Sequence, residues 1–222
     1  RDLRVEAVLD RVGARAARVS ETDIEIFWLM HKERFHRPET RVLRHILPWE
    51  ADCETRNMPR CLLEAEIDAP FGPLRVMTTH LEYFSERLRG VQVAAIRDVI
   101  RRNSARAVAP PLEGAGPYAS GNGAAHMLLT GDFNLRHEDP VKSALTASEA
   151  DGGAGLVDAW CVGNPGVPHP PSFCISDQTY GPPHCCDFIL VSAGLAPGIR
   201  RVHYETDTRA SDHQPVLIEL SA

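Results

Sequence analysis

The stretch Met127-Leu128-Leu129-Thr130-Gly131-Asp132-Phe133-Asn134 runs from apolar residues into two side chains able to hold a cation and a phosphate oxygen. Asp132 and Asn134 stand two apart, so on an extended backbone they share one side while Phe133 faces the interior. A carboxylate beside a carboxamide suits a hard divalent ion and a non-bridging phosphate oxygen. The same residues also read as a strand entering an ordinary Asp/Asn turn. The stretch alone does not choose between the two.

Three further places set polar side chains at the ends of apolar runs: Thr79-His80-Leu81, Cys186-Asp187-Phe188-Ile189, and Ala210-Ser211-Asp212-His213-Gln214-Pro215. Singly, each has a plain reading. His80 fits a strand-terminal histidine bonded to a carbonyl, Asp187 a solvent-facing strand start, and Ser211-Asp212-His213 a polar turn with Pro215 limiting the pairing that follows. As a set they supply what phosphoryl transfer requires. That chemistry needs positioning and charge neutralisation more than covalent catalysis. A hard metal on oxygen ligands provides the neutralisation, and histidines move protons near neutral pH. Zinc is the competing reading for a His/Asp/Cys set. Cys185 and Cys186 lie beside Asp187, but neighbours on a strand face opposite ways and make poor joint ligands.

These residues need strands to carry them. Residues 61–67 alternate in part, Asp68-Ala-Pro-Phe-Gly-Pro73 is a turn, and 74–80 returns, which predicts an antiparallel pair ending at His80. Ser85 offers an N-cap for a helix with Leu88, Val91, Ala95, Ile96 and Val99 on one side, ending near Arg102. Residues 103–126, rich in Ala, Gly, Pro and Ser, read as an exposed insertion. A strand over 127–132 follows, then a short helix opened by Asp139-Pro140. Strands are expected at 187–191, 200–204 and 216–220. Near the start, residues 3–19 read as an amphipathic helix bearing arginines at 1, 4, 11, 15 and 18, and Ile24–Met30 is compatible with a strand or a buried helical turn. Many strands with few helices point to a layered α+β domain rather than an alternating βα array. Residues 41–222 form that domain, and 1–40 an N-terminal segment of uncertain structure.

Composition narrows the class. A net charge of −6 with no basic stripe argues against bulk attraction to nucleic acid or anionic membrane, although a bound metal can still recruit a polyanion. The six cysteines form no Cys-x-x-Cys pair, which favours a reducing, cytoplasmic setting. No apolar run reaches the ~18–20 residues of a membrane span. A monomer is expected.

Together, His80, the Gly-Asp-Phe-Asn of 131–134, the Asp-Phe-Ile-Leu of 187–190 and Ser211-Asp212-His213 closely resemble the endonuclease/exonuclease/phosphatase superfamily of metal-dependent phosphohydrolases. That family includes DNase I-like nucleases, deadenylases, inositol polyphosphate phosphatases and neutral sphingomyelinases. The resemblance runs from about Leu43 to Leu220. It implies a four-layer fold, a two-sheet sandwich with helices on both outer faces and the active site at one edge. By motif, His213 is implied as the general base, Asp187 as its orienting partner, and Asp212 as a ligand of Mg²⁺ or Mn²⁺. Asp132 is implied to bind the metal or position the nucleophile. Asn134 and His80 are implied to contact the phosphate, His80 also assisting the leaving group. The expected substrate is a phosphoester, with a nuclease favoured over phosphatase or sphingomyelinase activity.

The family also places an asparagine on its first strand and a Gln-Glu pair on the next, whose glutamate is a principal metal ligand. Here the first asparagine is Asn57, the first glutamine Gln92, and no Gln-Glu pair occurs. The resemblance therefore implies that these N-terminal strands are missing or replaced, and leaves a catalytically impaired binding scaffold as the rival reading. Substrate-reading loops are expected at 103–126 and 161–185, with Trp160, Phe173, Tyr180, His169 and His184 as base-stacking or loop-packing groups. Arg136 and His137 stand next to the site as phosphate-contact or plain surface residues.

Overall fold

A computed structural model describes residues 20–30, 40–45, 60–108, 123–147 and 155–221. The chain divides into two compact units, Arg1–Pro38 and Glu39–Ala222. In the first, Glu21–Met30 is a helix, α1, so the apolar run there resolves as helix rather than strand. The helix expected over 3–19 lies outside the described residues.

The second unit contains β1 (Thr40–His45), β2 (Cys61–Ala69), β3 (Gly72–His80), α2 (Glu86–Val108), β4 (His126–Asp132), α3 (Pro140–Thr146), β5 (Leu156–Asp158), α4 (Ala159–Gly163), β6 (Asp187–Ser192), β7 (Ile199–Tyr204) and β8 (Val216–Leu220). Six strands form one mixed sheet in the order β1-β2-β3-β4-β6-β5, and β7 and β8 pair separately. Among the described residues no helix is long and apolar enough to cross a membrane.

The hairpin expected between 61 and 80 is present, β2 pairing antiparallel with β3 from Leu62↔Thr79 to Ala69↔Gly72. Strand β4 then lies parallel to β3, which demands a crossover, and α2 falls between them in sequence. Ser85 caps α2 through its Oγ, which accepts the Leu88 N–H at 3.3 Å. Leu88, Val93, Ile96, Val99 and Ile100 bury one face of the helix. The helix does not stop near Arg102 but continues to Val108, so the first residues of the expected insertion are helical. Asn103 is the reason visible in the packing. It is buried and donates to Glu64 Oε2 at 2.9 Å, tying the extra turns to β2. Residues 109–122 lie outside the described residues.

Register now places the chemistry. The parallel ladder sets His80 opposite Asp132, and the antiparallel β4–β6 ladder sets Asp187 opposite Asp132. Three candidate residues therefore form one row across adjacent strands. Beneath the row, Phe133 and Phe188 are fully buried and meet edge to face, with ring centroids 5.8 Å apart.

Gly131 makes the row possible. Its φ is +145°, and a Cβ there would fall 1.8 Å from Thr79 O on the neighbouring strand. Only glycine lets β3 and β4 close at this point. Gly131→Ala is expected to cost more than about 3 kcal/mol, the upper range for backbone strain alone, because a clash with backbone adds to it. A urea-unfolding midpoint close to that of the parent chain would contradict this.

Candidate active site

The end of β4 turns sharply. Asp132 Oδ1 accepts the backbone N–H of Asn134 at 2.8 Å, and Asn134 sits in the left-handed region with φ 49°. The extended alternation expected through residue 134 thus ends at Asp132. The Asp/Asn turn is real, and it is part of the site. Asn134 Nδ2 donates to Leu81 O at 2.9 Å, and Leu81 N–H donates to Asp132 O, so the segments after β3 and β4 are laced together.

The other Asp132 oxygen faces both histidines. Oδ2 lies 3.2 Å from His80 Nε2 and 3.7 Å from His213 Nε2. His213 Nδ1 lies 2.8 Å from Asp187 Oδ2. An ionised carboxylate only accepts, so this nitrogen carries the hydrogen and Nε2 points toward Asp132. The structure therefore brings His80, Asp132, Asn134, Asp187 and His213 together. Asp212 is exposed, its Oδ1 accepting from Ser211 Oγ at 3.2 Å, and stands outside the tight cluster of donor atoms.

Ser172 locks this arrangement, and the sequence reading did not single it out. It is fully buried; its Oγ donates to Asp187 Oδ2 at 2.7 Å and accepts the N–H groups of Cys186 and Asp187 at 3.1 Å each. Its carbonyl accepts Gln214 N–H at 2.7 Å, pulling the His213 segment toward β6. Phe173 lies against the His213 ring, centroids 4.5 Å apart. A serine in a proline-rich loop carries no sequence signal for such a role. Removing its hydroxyl strips an acceptor from two N–H groups, so Ser172→Ala is expected to lose about 1–3 kcal/mol of stability. Denaturant titration checks this, and an unchanged midpoint would remove Ser172 from the network.

Burial raises the carboxyl of Asp132, the nearby Asp187 charge adds to that, and the Asn134 N–H and the two histidines oppose it. Burial lowers His80, with Arg60 and His213 lowering it further against the pull of Asp132. His213 is raised above the ordinary histidine value, first by its hydrogen bond to Asp187. The two imidazoles are thus pushed apart, one toward a neutral form and one toward a stronger base. Burial and the adjacent carboxylates push the Cys186 thiol far up. Its Sγ nevertheless lies 3.5 Å from Asp187 Oδ2 within the same cluster, so these neighbours do not face apart as expected of adjacent strand residues.

A second polar cluster gathers His137, Asp158, Cys161 and His169. Asp158 is buried and caps α4, its Oδ1 accepting Trp160 N–H at 3.0 Å. Lys142 Nζ lies 2.5 Å from Asp158 Oδ2, 3.1 Å from His137 Nδ1 and 4.5 Å from the Phe188 ring centroid. His169 Nε2 is 3.1 Å from the same Asp158 oxygen. The positive charge such a cluster needs is supplied by Lys142. Burial alone would raise the Asp158 carboxyl, but the His169 bond and the Lys142 charge outweigh it and hold it far below the carboxylate range. Trp160 and His169 therefore pack the 161–185 loop instead of facing a substrate, and Arg136 is exposed.

No family model matches the sequence. A 90-residue segment is 30% identical to the putative peptidyl-prolyl cis-trans isomerase NifM of Azotobacter chroococcum, covering 40% of this chain and 26% of that protein. Solved structures are similar over most of the chain. The mannosyl-6-phosphatase of Bacteroides thetaiotaomicron superposes with a TM-score of 0.58 at 16% identity, covering 82% of this chain and 66% of that one. An endonuclease/exonuclease/phosphatase from Bacteroides vulgatus gives 0.57 at 16% identity, covering 82% and 65%. TDP2 from D. rerio, complexed with a single-strand DNA product, gives 0.53 at 20% identity, covering 81% and 66%. The chain thus spans slightly under two thirds of the length of these structures.

Proposed function

We propose that this chain, whose fold is that of the endonuclease/exonuclease/phosphatase proteins, is a divalent-metal-dependent phosphoester hydrolase with a nuclease-like preference for phosphodiesters. The carrying observation is the row His80–Asp132–Asp187 with His213 bonded to its far end. On this reading the two sheets stack as the inner layers of a sandwich and the helices cover it.

The donor set suits Mg²⁺ or Mn²⁺. Mg²⁺ takes one or two carboxylates and completes its shell with water and substrate phosphate. Asp132 would hold the ion, which would neutralise charge on the phosphoryl group, with Asp212, outside the tight cluster, as a second ligand by its motif alone. The remaining roles belong to the chain. His213 Nε2 accepts a proton from the attacking water, and Asp187, fixed by Ser172, stabilises the imidazolium that results. His80, whose pKa partial desolvation lowers although its side chain is half exposed, would donate a hydrogen bond to the phosphoryl oxygens or the leaving group. Asn134 orients a non-bridging oxygen.

A binding scaffold remains the second reading, and a specific observation favours it. In the tight cluster the carboxylates are Asp132 and Asp187, and Asp187 is already bonded by His213 and Ser172. Titration calorimetry with Mg²⁺ and Mn²⁺ separates the two. Binding lost in Asp132→Asn, together with metal-dependent cleavage of bis-p-nitrophenyl phosphate, supports the hydrolase. Absence of both supports the scaffold.

A further inference from the structure

Immediately beyond His80 the chain exposes two aromatic rings. Tyr83 is 54% and Phe84 51% exposed, and they meet edge to face with centroids 5.1 Å apart. Three residues span at most about 11 Å, so Tyr83 stays within that distance of His80 along the backbone. The loop that carries them is not loose. Glu82 is fully buried, and its Oε1 accepts Phe84 N–H at 2.8 Å while its own N–H donates to Gln92 Oε1 at 2.9 Å. Arg89 Nη1 donates to the carbonyls of Glu82 at 2.8 Å and Tyr83 at 3.1 Å. A buried carboxylate, a buried glutamine and an arginine thus hold two large apolar rings out in water.

The other catalytic histidine also leads to an exposed ring. Phe173 lies on His213, Tyr180 stacks on Phe173 with centroids 6.4 Å and planes 22° apart, and Tyr180 is 70% exposed. An exposed tyrosine thus lies three residues beyond His80 in the chain, and another is reached from His213 through Phe173. A pre-set ring gains most from a planar, π-bearing partner, because stacking then costs little ordering of the loop.

We propose that Tyr83 and Phe84 form a stacking platform for a nucleobase of the phosphodiester substrate, next to His80. This rests on the hydrolase reading and narrows it to single-stranded nucleic acid, whose unpaired bases offer open faces. The fixed loop makes the platform tolerant of base identity, since every base has a π face.

The test compares an oligothymidylate with an abasic oligomer of the same length and charge. Each is assayed for Mg²⁺-dependent cleavage, and for binding in EDTA by fluorescence anisotropy of an end label. The parent chain is expected to favour the base-bearing oligomer by about 5- to 150-fold in both measurements, the range for stacking of a single base. Tyr83→Ala/Phe84→Ala should bring the two oligomers to equal values, and Tyr83→Phe/Phe84→Tyr should restore the preference. Cleavage of both oligomers at equal rates by the parent overturns the platform and leaves the hydrolase standing. Base-dependent binding without any cleavage keeps the platform and removes the hydrolase. Equal binding of both oligomers, combined with phosphatidylcholine-vesicle binding lost in the double alanine variant, overturns the platform in favour of a lipid surface.

Discussion

His213→Ala is expected to lower metal-dependent hydrolysis of a generic phosphodiester by about 10²–10⁴-fold, the usual contribution of a positioned proton-transfer group. The loss should fall on kcat, because His213 Nε2 is aimed at the Asp132 side of the site and its other nitrogen is held by Asp187. Asp187→Asn gives the sign of the electrostatics. The Asp187 bond is the first cause raising His213, so the active base form accumulates in the parent only as pH passes a value above the ordinary 6.5. Without that carboxylate the rise in rate with pH should begin at lower pH and reach a smaller maximum. Full activity in His213→Ala would place the proton transfer elsewhere.

A large stability change is also expected at Asp158, away from the His80–Asp132–Asp187 row. Asp158→Asn removes the countercharge from Lys142, whose side chain is 4% exposed, and leaves a buried ammonium with only neutral partners. Losing one member of a buried pair typically costs about 3–5 kcal/mol. Lys142→Met paired with Asp158→Asn should cost less than the two single changes added together, because the double variant buries no uncompensated charge. The pH dependence follows from the sign. The Asp158 carboxyl is held below its ordinary value near 3.8, so its contribution is present above that value and disappears as pH falls through the folded-state value. Asp158→Asn should therefore flatten the acid limb of stability. Urea unfolding across acidic pH measures both, and additive single-site losses would dissolve the proposed pair.

Local signals in the sequence reached the strands and the residues at their ends. The alternation before His80, the Pro/Gly turn and the Asp139-Pro140 start of α3 each reflect short-range physics, and each appears where expected. Non-local features were not legible. That β3 and β4 are parallel, and so place His80 opposite Asp132, depends on a crossover that periodicity does not encode. The burial of Asn103 against Glu64, which prolongs α2, is a tertiary contact between residues far apart in the chain. Ser172 hides for the same reason, since its hydrogen bonds reach across from a loop with no regular pattern. Asp158 left a faint trace, as an aspartate before a short apolar helix is a capping signal. Nothing in its neighbourhood announces that Lys142 and His169 will meet it.

The row His80–Asp132–Asp187 also ties the proposed activity to the order in which the chain folds. Its members come from three strands that are distant in sequence, and local collapse brings none of them together. Loop-closure entropy must be overcome before such pairings are rewarded, which makes them slow relative to hairpins and helices. The β2–β3 hairpin and α2 can form early, yet a chain holding only these has one histidine and no site. A single-residue slip in β4 would swing Asp132 to the opposite face while leaving most of the core apolar. Recovery of activity during refolding should therefore lag behind recovery of helical signal and follow the slowest strand pairing.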